Sequence, residues 1–205
     1  MRRDALWLGW LLLALLLGGC EQAAKPVFRG SDISGSNFGL RLALTDHNGR
    51  AVTLETFRGK VVVLFFGYTH CPDVCPTTLS DLSEALKLLP RGAADKIQVL
   101  FVTVDPERDT PEVLKAYVPY FHPAFLGLYG TPAQVALTAK EFRIVYHRHV
   151  DPGASGYLVD HSAGSYVLDS HGRLRLYLPY GDKIQDIAAD LGTLLKSDGL
   201  LTGGV

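Results

Sequence analysis

The chain has 205 residues, of which 47% are hydrophobic and 20% charged, and its formal net charge at pH 7 is −1. This length and composition fit one or at most two globular domains. The 20 basic residues are balanced by 21 acidic ones, and no lysine- and arginine-rich run provides a positive surface for a polyanion. Nucleic acid is therefore excluded as an expected partner.

The first 19 residues have the pattern of an export signal. Arg2 and Arg3 precede an apolar run over 5–17, which is shorter than the roughly 18–20 apolar residues that span a bilayer. The segment ends in Leu-Gly-Gly-Cys at Cys20, which resembles a bacterial lipobox and implies cleavage before Cys20 and lipidation of its sulfur. A plain signal peptide or an uncleaved anchor is the alternative. We expect a membrane-anchored lipoprotein that faces the periplasm or extracytoplasmic space.

The chain after Cys20 divides into a tether and one folded domain. Residues 20–37 are rich in serine, glycine and alanine and lack apolar periodicity, which predicts a flexible tether before a domain over 38–199. Residues 40–44 and 51–54 alternate apolar and polar side chains around an Asn-Gly turn, so we expect an N-terminal β-hairpin. The apolar run over 61–66 is typical of a strand that is buried on both faces.

From residue 77 onwards helices and strands alternate, and a hairpin and a helix close the chain. The predicted helices are 77–89, 110–121, 131–146 and 183–195. The predicted strands are 96–104, 125–129, 165–168 and 174–178. This order predicts an α/β fold, a thioredoxin-like mixed β-sheet flanked by helices.

Two cysteines lie in the loop after the buried strand over 61–66. Cys71 and Cys75 have the spacing C-x-x-x-C, one residue longer than the spacing of thioredoxin-type redox motifs. The extra residue makes room for a metal ion without forbidding a disulfide. A purely structural disulfide across so small a loop would contribute little stability. The pair is therefore expected to bind metal or to exchange electrons.

Two thiolates suit Cu(I) or zinc but leave either ion under-coordinated, so we expect a third ligand among the seven histidines. His161 stands out because it lies just before the predicted strand 165–168, and in a thioredoxin-like fold that loop meets the cysteine loop. His147 and His149 could share a strand face, but a solvated loop entrance is favoured there. His70 is expected to point away from the site.

Three stretches of the sequence together carry a family resemblance. They are FGYTHCPDVCP at 66–76, VDPERDTP at 104–111 and DHS at 160–162. In these stretches the chain resembles the Sco/SenC family of thioredoxin-like copper proteins that assist cytochrome c oxidase assembly. The resemblance implies that Cys71, Cys75 and His161 bind one copper ion. Three such ligands suit Cu(I), whereas Cu(II) requires a fourth donor such as water.

The same resemblance implies a partner and a role. Copper would be delivered to the dinuclear site of oxidase subunit II, or the cysteines of that site would be kept reduced, with subunit II or a copper loader as the partner. Transfer of copper requires an accessible loop, which predicts that both thiols react rapidly with a maleimide. Asp105 and Asp109 match the acidic segment of the family. They either support the site or face a partner, or they cap the helix that begins near Pro111.

The chief alternative is a periplasmic thiol–disulfide oxidoreductase. In that interpretation Cys71 and Cys75 are a redox pair that can form a disulfide and be reduced again, and His161 is a local acid–base group. A zinc site built from the same three residues is also chemically open. We expect a copper-binding chaperone rather than an enzyme that turns over a small substrate.

Overall fold

The computed structural model describes residues 26–150 and 156–201. Its strands are β1 (Ser31–Asp32), β2 (Ala43–Asp46), β3 (Ala51–Thr53), β4 (Val61–Gly67), β5 (Ile97–Thr103), β6 (Leu126–Tyr129), β7 (Tyr146–Val150), β8 (Tyr157–His161), β9 (Ser165–Leu168) and β10 (Leu174–Leu178). Its α-helices are α1 (Val74–Lys87), α2 (Pro111–Phe121), α3 (Pro132–Glu141) and α4 (Ile184–Ser197). Short 3₁₀ turns cover Leu54–Phe57 and Ala94–Lys96. The predicted export signal and Cys20 lie outside the described residues.

Eight of the strands form one mixed sheet in the order β1-β10-β9-β4-β5-β6-β2-β3. β4 and β5 lie at its centre as a parallel pair, and all seven residues of each strand are buried. Side chains on both faces of these strands meet covering structure, which explains why their sequences are continuously apolar. Helices α1 and α2 provide the crossovers from β4 to β5 and from β5 to β6. The predicted mixed sheet with flanking helices is confirmed.

The predicted N-terminal hairpin is formed by β2 and β3. Leu44 pairs with Val52, and Gly49 in the turn has a φ of 83°, a conformation that glycine adopts without strain. The carboxylate of Asp46 accepts hydrogen bonds from the backbone N–H groups of Asn48 and Arg50 at 2.8 and 2.9 Å. These bonds fix the turn and explain why a local pattern was sufficient to predict it.

The folded part of the chain begins before the predicted boundary at residue 38. β1 pairs antiparallel with β10, and Asp190 of α4 accepts hydrogen bonds from the N–H groups of Arg29 and Gly30 at 2.9 and 2.8 Å. Phe28 and Ile33 pack against the core. The tether predicted over 20–37 is thus too long, because a sheet edge and a buried carboxylate supply partners that the local sequence does not indicate.

The helix predicted over 131–146 ends early. α3 stops at Glu141, and Arg143 takes a φ of 55°, a left-handed conformation that ends the helix. The N–H of Ile144 then bonds to the carbonyl of Ala139 at 2.8 Å. The chain continues as β7, which forms an antiparallel hairpin with β8 in a separate two-stranded sheet. No helix in the described part of the chain combines the length and the apolar character needed to cross a membrane.

Candidate metal centre

The two cysteines lie where β4 gives way to α1. α1 begins at Val74, earlier than the predicted start at residue 77, so Cys75 lies in its first turn. Cys71 lies in the loop between β4 and α1. The N-terminus of a helix carries a partial positive charge that stabilises a nearby thiolate. The fold therefore places the pair at a position that favours a thiolate.

Gly67 allows the sulfur of Cys75 to approach the end of β4. A Cβ atom at Gly67 would lie 2.7 Å from Sγ of Cys75 and 2.9 Å from the ring of Phe101. Both distances are shorter than packed atoms tolerate. Only glycine leaves room for the buried thiol at this point.

His161 completes the group from the end of β8. Its Nε2 lies 3.4 Å from Sγ of Cys75, and the ligand atoms of Cys71, Cys75 and His161 all lie within 4.8 Å of one another. Nδ1 of His161 lies 3.0 Å from the carbonyl oxygen of Ser162. Because a carbonyl only accepts, this contact places a hydrogen on Nδ1, and Nε2 is the ring nitrogen that faces the sulfurs. Two sulfurs and one imidazole nitrogen can coordinate a soft metal ion here.

Aromatic rings hold the imidazole in this orientation. The rings of Phe65 and Tyr68 pack edge-on against the His161 ring, with centroids 6.0 and 5.9 Å away. Beside the sulfurs a cleft with a volume of about 230 Å³ opens between the cysteine loop and β8, and its lining includes Cys71 and Leu158. The sequence contains no local signal that Phe65 and Tyr68 contact His161, because the two segments are far apart in the chain.

The two thiols have opposite electrostatic environments. A hydrogen bond from the Cys75 thiol is the largest cause that lowers the pKa of Cys71 to about 4; His161 and two backbone N–H groups act in the same direction, against burial. The pKa of Cys75 is raised far above the ordinary thiol range, because its proton is held by Cys71, because it is buried and because Cys71 is negatively charged. At neutral pH the pair therefore shares one proton.

The prediction that both thiols are exposed is wrong for Cys75. Its side chain is 0% exposed, whereas Cys71 is partly exposed at the cleft. The cause is the early start of α1, which turns Cys75 inward against Gly67. Only one sulfur of the pair can be reached from solvent without movement of the chain.

The two aspartates of the acidic segment are fully buried, so neither faces a partner at the surface. Neither caps α2, because Thr110 takes that position and accepts a hydrogen bond from the N–H of Val113. Asp109 instead accepts hydrogen bonds from the N–H and hydroxyl of Thr69 at 3.1 and 2.6 Å and from the hydroxyl of Thr103 at 2.6 Å. It thereby ties the start of the cysteine loop to the end of β5. Asp105 bonds to the β7–β8 hairpin.

The other histidines named from the sequence lie outside this group. His70 is exposed, and its Nδ1 contacts the hydroxyl of Thr69. His147 and His149 lie on β7 and are exposed, and Nδ1 of His149 lies 3.2 Å from a carboxylate oxygen of Asp160. Neither strand residue reaches the sulfurs, in agreement with the expectation of a solvated position.

One other group of possible ligands occurs in the described residues, formed by Asp169, His171 and Asp198. The carboxylate of Asp169 already accepts hydrogen bonds from Arg173 at 2.7 Å and from Arg175 at 3.5 Å. Asp198 accepts a bond from the N–H of Ser170 at 2.7 Å. Positive charge already satisfies the buried carboxylate, which disfavours a cation there.

Comparison with known proteins agrees with the fold. The SCO1/SenC family model matches residues 31–196. The chain belongs to the SCO1/SenC family. The SCO2-like protein of Rickettsia prowazekii is 40% identical over 131 residues, a stretch that spans 63% of each protein. The chain therefore spans less than two thirds of that relative's length.

Two solved structures of SCO1/SenC proteins show the same architecture. Bradyrhizobium japonicum ScoI with copper bound is 41% identical, with a TM-score of 0.69 over 76% of this chain and 98% of that one. The solution structure of apo Sco1 from Thermus thermophilus is 42% identical, with a TM-score of 0.71 over 87% of this chain and 99% of that one. The predicted Sco/SenC membership and thioredoxin-like fold are confirmed.

Proposed function

We propose that this SCO1/SenC protein binds one copper ion through Cys71, Cys75 and His161 and delivers it during cytochrome c oxidase assembly. The convergence of two sulfurs and one imidazole nitrogen within 4.8 Å carries the proposal. Two soft donors and one borderline donor satisfy three-coordinate Cu(I). A copper-bound solved structure with 41% identity to this chain supports the choice of metal.

The two sulfurs differ in a way that suits release of copper. The partly exposed Cys71 lies at the cleft, where an incoming thiolate of a partner can approach the metal. Cys75 is buried and turned away from solvent. Stepwise exchange would therefore begin on the side of Cys71 and end with the loss of Cys75. A metal that an incoming ligand can reach from one side is typical of sites that exchange ligands.

Copper binding is tested by anaerobic Cu(I) titration against a chromophoric chelator, with the purified protein carrying Cys20→Ser so that only two thiols remain. We expect one equivalent to be held tightly, and His161→Ala to weaken binding at least tenfold, about 1.4 kcal/mol. The matched control is His171→Ala, which removes a histidine from the other possible ligand group and should leave the affinity unchanged. Equal affinity in wild type and His161→Ala would remove His161 from the site. Preference for zinc over Cu(I) in the same competition would overturn the copper assignment.

The proposed recipient is the dinuclear copper site of oxidase subunit II. Cu(I)-loaded protein is mixed anaerobically with the metal-free, reduced soluble domain of subunit II, the two proteins are separated, and the copper content of each is measured. Delivery predicts that the subunit II domain gains the copper that the donor loses. If the protein instead keeps the cysteines of that site reduced, copper-free reduced protein should generate free thiols on an oxidised subunit II domain. The two experiments separate delivery from reduction.

A thiol–disulfide oxidoreductase is the second candidate, favoured by the thiolate of Cys71 beside the cleft and a protonated Cys75 next to it. The Cys71 thiolate would attack a partner disulfide and form a mixed disulfide, with one partner sulfur leaving as thiolate. Cys75 would then lose its proton and attack Cys71, which releases the partner's second thiolate. Cys75→Ser should trap the mixed disulfide. Trapping without tight Cu(I) binding would favour this function over the chaperone.

The site of action follows from the lipobox-like ending at Cys20. We propose that Cys20 is lipidated and holds the domain at the extracytoplasmic face of a membrane. Wild-type protein should sediment with the membrane fraction of expressing bacteria, and Cys20→Ala should remain in the signal-peptide-bearing form or appear in the soluble fraction. Identical fractionation of the two proteins, with a wild-type N-terminal peptide whose mass shows no lipid, would overturn lipidation.

A further inference from the structure

The hairpin that carries His161 is not part of the main sheet. Among the described residues, β7 pairs only with β8, and the two strands form a sheet of their own. An isolated two-stranded hairpin is marginally stable in water. The position of the hairpin, and with it that of His161, therefore depends on side-chain contacts with the body of the domain.

Tyr157, at the start of β8, makes the most specific of these contacts. Its hydroxyl donates a hydrogen bond to Oδ1 of Asp105 at 2.7 Å. The guanidinium of Arg108 lies over the Tyr157 ring, 3.7 Å from its centroid, and Nη1 of Arg108 donates to the Tyr157 carbonyl at 2.9 Å. The ring, the hydroxyl and the backbone of Tyr157 are thus all held by the segment that follows β5.

The acceptor of this hydrogen bond is itself fixed. Asp105 is 0% exposed, its N–H donates to the hydroxyl of Thr103 at 2.9 Å, and its carboxylate also accepts from Arg108. Arg148 on β7 reaches the same carboxylate at 3.3 Å and Glu107 at 2.7 Å. Both strands of the hairpin are therefore attached to residues 105–108. We call Asp105, Arg108, Arg148 and Tyr157 the Tyr157 cluster.

The cluster is connected to the metal ligand by two routes. Tyr157 and His161 lie on the same face of β8, because alternate residues of a strand share a face, and Val159 between them is buried. Arg108 also lies over the ring of Tyr68, 5.6 Å from its centroid, and that ring packs edge-on against His161. A backbone route and a side-chain route thus end at the same imidazole.

We propose that the Tyr157 cluster positions His161 as the third metal ligand, so that loss of the Tyr157–Asp105 hydrogen bond leaves a two-cysteine site. Tyr157 is a positioning residue and does not touch the metal. The proposal rests on the proposed function insofar as His161 is a ligand, but the position of the imidazole can be measured without metal.

Tyr157→Phe is the deciding variant because it removes the hydroxyl and keeps the ring beneath Arg108. In metal-free protein, NMR reports the chemical shifts of the His161 ring protons, which the rings of Phe65 and Tyr68 displace from solvent values. We expect Tyr157→Phe to move these shifts toward the values of a solvent-exposed histidine. Tyr129→Phe, which removes a hydroxyl from partly buried Tyr129 on β6, is the matched control and should leave the shifts unchanged.

A double-mutant cycle tests the effect on copper. Tyr157→Phe should weaken Cu(I) binding about tenfold in the wild-type background and should have no effect when His161→Ala is already present. An equal loss of affinity in both backgrounds would mean a general structural role and would overturn the proposal. So would His161 ring shifts and an affinity that both stay at the wild-type values. If Tyr157→Phe moves the His161 ring shifts toward solvent values but the wild-type protein binds no copper, the positioning role is upheld and the proposed function is refuted.

Discussion

The two halves of the candidate metal centre are built on different kinds of scaffold. The cysteines follow β4, a fully buried strand at the centre of the eight-stranded sheet, and Asp109 ties their loop to β5. His161 belongs to the β7–β8 hairpin, which is attached through the Tyr157 cluster and a few ring contacts. One half is fixed by the core of the domain, and the other is fixed by a small set of polar bonds, a few ring contacts and the buried side chain of Val159. In a candidate site built in this way, the imidazole can move while the backbone that carries the two cysteines stays in place.

The largest expected difference between the halves is in hydrogen exchange. Amides of β4 and β5 should exchange only on global unfolding, whereas amides of β7 and β8 should exchange through local opening. After correction for intrinsic rates, exchange in β7 and β8 should be about a thousandfold faster, which corresponds to a free energy of opening that is lower by about 4 kcal/mol. Native-state exchange followed by NMR measures both. Equal protection of the two regions would mean that the hairpin opens only with the whole domain.

The next effect is the difference in reactivity between the two thiols. At pH 7 iodoacetamide should modify Cys71 at least a hundredfold faster than Cys75, because Cys71 is a thiolate at the cleft and Cys75 is buried and protonated. Since the pKa of Cys71 is lowered to about 4, its thiolate persists at pH 5 and is lost as the pH falls through about 4. Its rate should thus change little from pH 7 to pH 5.

Peptide mapping by mass spectrometry assigns the modification to each cysteine, and Cys20→Ser removes the remaining thiol. A free thiol with an ordinary pKa of about 8.5 would slow about a hundredfold over the same two pH units. That result for Cys71, or equal labelling of both residues at pH 7, would refute the shared-proton arrangement.

Gly67→Ala tests whether the cysteine half is as tightly packed as its geometry indicates. The added Cβ would collide with Sγ of Cys75 and the Phe101 ring, so we expect a loss of about 2 kcal/mol in the free energy of unfolding. Gly192→Ala in α4 is the control, because the contact that its Cβ would make within the described residues, with Leu89 at 3.6 Å, is an ordinary packing distance. That variant should be stabilised by about 0.5–1 kcal/mol. Denaturant titration gives both values; a neutral Gly67→Ala would mean that the loop yields easily.

The smallest predicted effect concerns a defect behind the cysteine loop. The hydroxyl of Tyr117 is buried and has no hydrogen-bond partner among the residues that the structure describes. Burial of an unpaired hydroxyl costs about 1–3 kcal/mol, so Tyr117→Phe should stabilise the protein by about 1 kcal/mol. The shift of the thermal or denaturant midpoint measures it. Destabilisation of the same size would show that the hydroxyl is paired in solution.

Local patterns were sufficient to predict the rigid half of the molecule. The continuous apolar run of β4, the turn at Gly49 and the C-x-x-x-C spacing each depend on neighbours within a few residues. The sequence pattern predicts the start of α1 too late and does not indicate the burial of Cys75, because that burial depends on the contact with Gly67. His161 was singled out from its place before β9 and from the family resemblance, not from spacing alone.

The hairpin half could not be predicted in this way. Nothing in the local sequence signals that Arg143 takes a left-handed conformation, so the pattern predicts a helix that continues to residue 146, where β7 begins. The burial of Asp105 and Asp109 and their hydrogen bonds arise from contacts between distant segments, such as the one between Tyr157 and the end of β5. Sequence patterns describe single elements well and describe contacts between elements poorly.

The edges of the eight-stranded sheet affect how the folded protein behaves at high concentration. One edge is β1, with two residues, and the other is β3, with three. Such short edge strands offer few unpaired backbone groups to a neighbouring molecule, which is how natural sheets resist edge-to-edge aggregation. Asp190 secures one of these edges by holding the backbone just before β1. Truncation of the chain before residue 33 would uncover β10 as a five-residue edge, so solubility at high concentration depends on a segment remote from the metal centre.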